Sequence, residues 1–80
     1  MDEHLQSLRE QVEAAAAGTE EPERAKLRQW HAEVDRHAES GDHDSLTESL
    51  TRGETRFESG HPKLADAIRR FLDALSSSGI

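Results

Sequence analysis

Large apolar side chains recur every third or fourth position along the chain, and the rhythm breaks at three places. Leu5, Leu8, Val12, Ala15 and Ala16 share one face of a helix. Leu27, Trp30, Val34 and His37 repeat the 3-4-3 step, and Leu46, Leu50, Gly53 and Phe57 step 4-3-4. Leu64, Ile68, Phe71, Leu72 and Leu75 form the widest apolar stripe. The breaks are Gly18-Thr19-Glu20-Glu21-Pro22, Ser40-Gly41-Asp42-His43-Asp44 and Ser59-Gly60-His61-Pro62. Each joins a helix-ending glycine to a residue suited to opening the next helix. No stretch alternates with period two, and Val and Ile together number four, so strands are not expected. The pattern predicts one all-α domain over residues 1–80, a three-to-four-helix hairpin or bundle with helices over about 2–17, 20–40, 45–59 and 62–78.

The capping residues support those boundaries. Asp2 and Thr19 stand where N-caps of the first two helices are wanted, with Glu20, Glu21 and Glu23 favouring the positive end of the second. Ser45 and Glu48 have the spacing of a capping box for the third. Pro62 suits the first position of a fourth helix, although a single longer helix kinked there gives the same pattern. Gly79 as the C′ residue would bring Ile80 against Leu75 in a Schellman motif.

Composition changes the picture in one respect. Leu, Ile, Val and Phe number 14 of 80 residues, and 10 of the remaining apolar residues are alanines. A chain this small and polar often needs association to be comfortably stable, and 3-4 spacing is also the rhythm of coiled-coil-like packing. The expectation is therefore a homodimer joined through Leu64, Ile68, Phe71, Leu72 and Leu75, with Leu27, Trp30, Val34 and Phe57 in the core. Gly53 and Gly60 fall on the seam of the third segment. Since glycine costs about 1 kcal/mol in a helix relative to alanine, Gly53 is either a notch that admits Trp30 or a tolerated weak point.

Several function classes are excluded or disfavoured. Cysteine is absent, which removes disulfides, cysteine-based zinc sites and a thiol nucleophile. No run of about 18 apolar residues spans a membrane, and Met1-Asp2-Glu3-His4 does not resemble a signal peptide, so a cytoplasmic location is expected. A net charge of −7 disfavours nucleic acid as a partner, and Trp30, Phe57 and Phe71 all lie on apolar stripes, unavailable as base-stacking platforms.

Five histidines are the first candidates for chemistry. His37 follows Glu33 by four and can share its face, and His43 stands between Asp42 and Asp44, so His37 and His43 are the weak metal-ligand candidates. No His-Glu-x-x-His or similar spacing supports them, and no metal or cofactor is expected. His31 four before Asp35 reads as a surface charge pair, and His61 before Pro62 as a helix cap. Ser76, Ser77 and Ser78 have no neighbouring base, and no phosphate-binding glycine loop or triad spacing occurs, so no catalytic residue is assigned.

Charge is unevenly distributed. Residues 1–40 hold ten acids and five bases, whereas Arg52, Arg56, Lys63, Arg69 and Arg70 outnumber the three acids of residues 52–70. The halves can pair across an antiparallel assembly, although ordinary i, i+4 pairing, as at Asp66 and Arg70, accounts for part of the pattern.

The stretches Arg56-Phe57-Glu58-Ser59-Gly60-His61-Pro62-Lys63-Leu64 and Leu72-Asp73-Ala74-Leu75-Ser76-Ser77-Ser78-Gly79-Ile80 resemble a family of short bacterial proteins known only as a domain of unknown function. The likeness is specific over roughly residues 54–80 and loose over the first 40, and it departs at Ser59-Gly60, where Glu-Ser would be more compatible with a helix. It implies a bacterial, cytoplasmic, all-helical protein and carries no activity with it. The leading expectation is a non-enzymatic oligomerisation or protein-interaction module, a homodimer with room for an unidentified protein partner. The alternative is a small sensor of divalent metal or pH built on histidines and carboxylates.

Overall fold

Each break in the apolar rhythm becomes a turn. The computed structural model contains α1 (Asp2–Ala17), α2 (Glu23–Ser40), α3 (His43–Phe57) and α4 (Pro62–Ser78), and it describes the backbone of residues 2–78 and the side chains of residues 3–77. No strand occurs among the described residues. Short connections make consecutive helices antiparallel neighbours. α1 packs on α2 and α4, α3 packs on α2 and α4, and among the described residues the backbones of the diagonal pairs do not approach closely. The result is an up-down-up-down square of helices measuring 39 × 22 × 20 Å.

The helix ends differ from the sequence expectation in instructive ways. α2 begins at Glu23, not near residue 20, because Thr19 does not cap it. Pro22 occupies the cap position without a side chain that can accept, and the Glu21 carboxylate accepts from the Ala25 N–H at 3.2 Å instead. The Thr19 carbonyl belongs to the end of α1: the Arg24 guanidinium donates to it at 2.9 and 3.1 Å and to the Ala16 carbonyl at 3.3 Å. α1 has no basic residue in its own last turn, so Arg24 reaches back from α2 to the Thr19 carbonyl and adds a second donor to the Ala16 carbonyl, which the Thr19 N–H already reaches at 3.3 Å.

The α2–α3 turn is two residues long. Gly41 takes φ 75°, a left-handed conformation that glycine adopts without a Cβ penalty. Its N–H donates to Ala38 and the Asp42 N–H donates to His37, which closes α2 in a Schellman motif. Asp42 then caps α3, accepting from the Ser45 N–H at 3.2 Å and the Ser45 hydroxyl at 2.8 Å. Ser45 is therefore not the cap, and the N-cap of α3 falls three residues earlier than its pairing with Glu48 suggested. The Ser45 hydroxyl, with its backbone N–H second, holds the Asp42 carboxyl below the usual carboxylate range. α3 and α4 are two helices, with Pro62 opening the second. The Asp2 cap and the Leu75–Ile80 contact involve side chains that lie outside the described residues.

The core runs the length of the square. Leu8, Val12 and Ala16 of α1, Leu27, Trp30 and Val34 of α2, and Leu46, Leu50 and Phe57 of α3 are buried in it. So are Leu64, Ile68, Phe71 and Leu75 of α4, with Leu72 packed against the cluster at its edge. This corrects the expected interface. The wide stripe of α4 is not a surface awaiting a second copy, because α1 and α3 cover it within one chain. A chain with few large apolar residues achieves this by letting small ones fill the remaining seams: Ala16, Ala65, Ser49 and Gly53 are all buried. Closer helix approach then lets each leucine or aromatic reach more neighbours.

Candidate functional site

The most densely connected polar group joins α2 to α3. Gly53 is the notch for Trp30: a Cβ on Gly53 would overlap the indole, lying 2.6 Å from its Nε1. The indole N–H donates to the Ser49 carbonyl at 2.9 Å, and the Phe57 ring meets the indole edge-on at 5.4 Å. The buried Ser49 hydroxyl donates to the Glu33 carboxylate at 2.7 Å, and Arg52 reaches the same oxygen at 3.0 Å. Every polar atom that this seam buries on Ser49 and Trp30 thus has a partner, as burial requires. Gly60, by contrast, lies in the α3–α4 turn with open space where a Cβ would be, so it is no packing notch.

Glu33 therefore works as a fastener. The Ser49 hydroxyl, and after it the Arg52 charge, hold its carboxyl below its ordinary value of 4.5. A depressed folded value means that the stabilisation is fully present above about pH 4.5 and disappears as the pH falls through the folded value. Replacing Glu33 with Gln should cost about 1 kcal/mol at pH 7, in the range of a partly exposed charge-assisted hydrogen bond. The gap between wild type and variant should narrow by pH 3.5, as read from urea midpoints at the two pH values.

The remaining histidines are dispersed. His37 lies one turn from Glu33 and contributes a smaller attraction to both Glu33 and Asp42. His43 sits in the first turn of α3, exposed, while Asp42 beside it is engaged in capping. Among the described residues no three His, Asp or Glu side chains are arranged to hold an ion, around His37 and His43 or elsewhere. His31 Nδ1 lies 3.7 Å from Asp35, the expected pair, although its Nε2 is buried without a partner. His61 is not a side-chain cap. Its Nε2 lies 3.7 Å from Glu23 and its ring meets the edge of Phe57 at 6.1 Å, so it links the starts of α2 and α4. His4 stacks on Phe71 at 5.6 Å and covers one end of the core.

The acidic and basic halves meet inside one chain. Glu33 with Arg52 and Glu23 with His61 cross between them, and Arg69 pairs with Glu54 at 3.0 Å across α3 and α4. Asp66 and Arg70 form the expected i, i+4 pair at 3.2 Å. Opposite charge orients the helices within the bundle, a role that needs no second copy.

A surface unforeseen from the sequence lies between α1 and α4. Glu3, His4, Ser7 and Gln11 form one wall of a groove of about 570 Å³, and Pro62, Lys63, Asp66, Ala67 and Arg70 form the other. It continues past Gln11 into a cleft of about 280 Å³ bounded by Ala14, Ala15, Gly60, His61 and Leu64. A depression of about 630 Å³ on the outer face of α3 is lined by Glu48, Thr51, Arg52, Thr55 and Arg56 of one helix and has no second wall. The signal for the α1–α4 groove was present as small residues at Ser7, Ala14 and Ala67, but only the antiparallel packing of two distant helices brings them to one face.

Among the described residues no helix is long and apolar enough to cross a membrane. No curated protein and no solved structure matches the chain. A family model does match, over its whole length. The chain belongs to the domain of unknown function DUF4404, whose model matches residues 1–80.

Proposed function

We propose that the chain is a non-enzymatic, all-helical protein-interaction module that works through the face between α1 and α4. One observation carries this reading: the large apolar side chains are consumed inside the bundle, and α1 and α4 form a two-walled groove on the outside, about 570 Å³ against about 230 Å³ for the one between α1 and α2. The polar side chains that invite a catalytic reading are engaged as fasteners, Asp42 at a cap, Glu33 and Ser49 at the α2–α3 seam, His61 against Glu23. Catalysis asks for a nucleophile or base facing a substrate-sized enclosure, and the groove walls offer His4 as their one imidazole, already stacked on Phe71. We place the module in the bacterial cytoplasm on the strength of the family resemblance and the cysteine-free composition. The proposal assigns no role to nucleic acid or membrane.

The sensor alternative draws on one contact. His61 Nε2 stands 3.7 Å from Glu23 and joins two helix starts, a histidine–carboxylate contact that favours its pH-sensing half. No comparable convergence supports the metal-binding half. The interaction reading is tested by placing a photo-crosslinking amino acid at Ser7 or Ala67, on the groove, and at Thr55 on the outer face of α3, in living cells. Adducts from the first two positions and none from the third are expected. Equal labelling from all three, or none from any, would remove the α1–α4 face from consideration.

A further inference from the structure

We infer that the α1–α4 face receives a second copy of this chain, related by a two-fold axis through the groove near Ser7 and Ala67. This rests on the preceding reading and names the partner for it. Charge is the first reason. The chain carries −7 overall, so two copies repel through most of their surfaces. The groove lining is different: Glu3 and Asp66 are balanced by Lys63 and Arg70, the adjoining cleft adds no Asp, Glu, Lys or Arg of its own, and Glu10 lies on the flank beyond Ser7. Two acidic copies can meet there without net repulsion.

The order of those charges is the second reason. Because α1 and α4 run antiparallel, Glu3 lies at the Arg70 end of the groove and Lys63 at the Gln11 end. Arg70 is taken by Asp66 at 3.2 Å, whereas Glu3 and Lys63 make no ion pair among the described residues. A two-fold axis at the middle reverses one copy onto the other. Glu3 then faces Lys63 of the second copy, and Lys63 faces its Glu3, so both pairs form at once. Such an isologous contact closes on itself and stops at a dimer. Ser7 and Ala67 at the middle keep side chains short where the two helix pairs must approach.

The test uses the full chain and a charge swap, with sedimentation equilibrium from micromolar to millimolar and far-UV circular dichroism on the same samples. Wild type is expected to dimerise within that range. Lys63→Glu and Glu3→Lys each turn two attractions into two repulsions and should raise Kd about tenfold or more. The doubly swapped chain, Glu3→Lys with Lys63→Glu, restores opposite charge and should return to within about threefold of wild type. Helicity should stay constant throughout, since both side chains are exposed. A monomer across the whole range, a dimer indifferent to the single changes, or a double variant as weak as the singles would each overturn the inference. If wild type is monomeric while groove crosslinks still capture a different protein, this inference fails and the interaction-face reading stands. If the groove positions give no adduct, that reading fails as well.

Discussion

Ile68→Asp is expected to unfold the chain. Ile68 is fully buried at the centre of the α4 stripe, between Leu64 and Phe71 on one chain's own core. Removing its side chain alone costs about 2–5 kcal/mol. The aspartate then faces an interior of apolar side chains, and burying an unpaired charge adds several kcal/mol. An 80-residue domain has about 4–12 kcal/mol in total, so the sum meets or exceeds what is there. Far-UV circular dichroism at 25 °C should show most of the helix lost. Had the stripe been an interface between copies, the same change would have yielded a helical monomer, so the two readings separate in one spectrum.

Gly53→Ala is expected to destabilise the fold by about 2 kcal/mol or more, against the sign of helix propensity. In an exposed helix this replacement gains about 1 kcal/mol. Here the new methyl falls within the indole of Trp30, which cannot withdraw: Phe57 bounds its edge, and its N–H is held by the Ser49 carbonyl. Overpacking of this kind costs about 1–3 kcal/mol beyond the propensity gain, because helices or rotamers must shift. Urea unfolding should report the loss. Trp30→Leu, which vacates the space, should make a following Gly53→Ala nearly neutral, and a double-mutant cycle measures that coupling. Additive costs in the cycle would mean that the notch does not govern this helix pair.

The periodicity located the four helices and their apolar stripes, because an amphipathic stripe is a local property of sequence. Leu46, Leu50, Gly53 and Phe57 lie on one face whatever packs against them. What covers the stripe is not local, and the α4 residues were misread for that reason. Spacing reports that Leu64, Ile68, Phe71 and Leu75 need a partner, and α1 with α3 supplies it as well as a second chain could. Capping failed where two residues competed for one role: Asp42 and Ser45 both suit α3, and the Schellman turn at Gly41 places Asp42 first. Nothing in the local pattern marks Ser49 for burial. Its burial depends on Glu33 and Trp30 arriving from 16 and 19 residues away, which no window of sequence contains.

The account's central claim is that one chain closes its own core, and the emission of Trp30 on dilution tests it most directly. Trp30 is the sole tryptophan and is 4% exposed. In the Lys63→Glu variant, diluted until sedimentation shows only monomer, its emission should stay blue-shifted and unfold in one cooperative step with urea. A shift to the red as the monomer appears, with no urea added, would show that the core needs a second chain and would contradict the account.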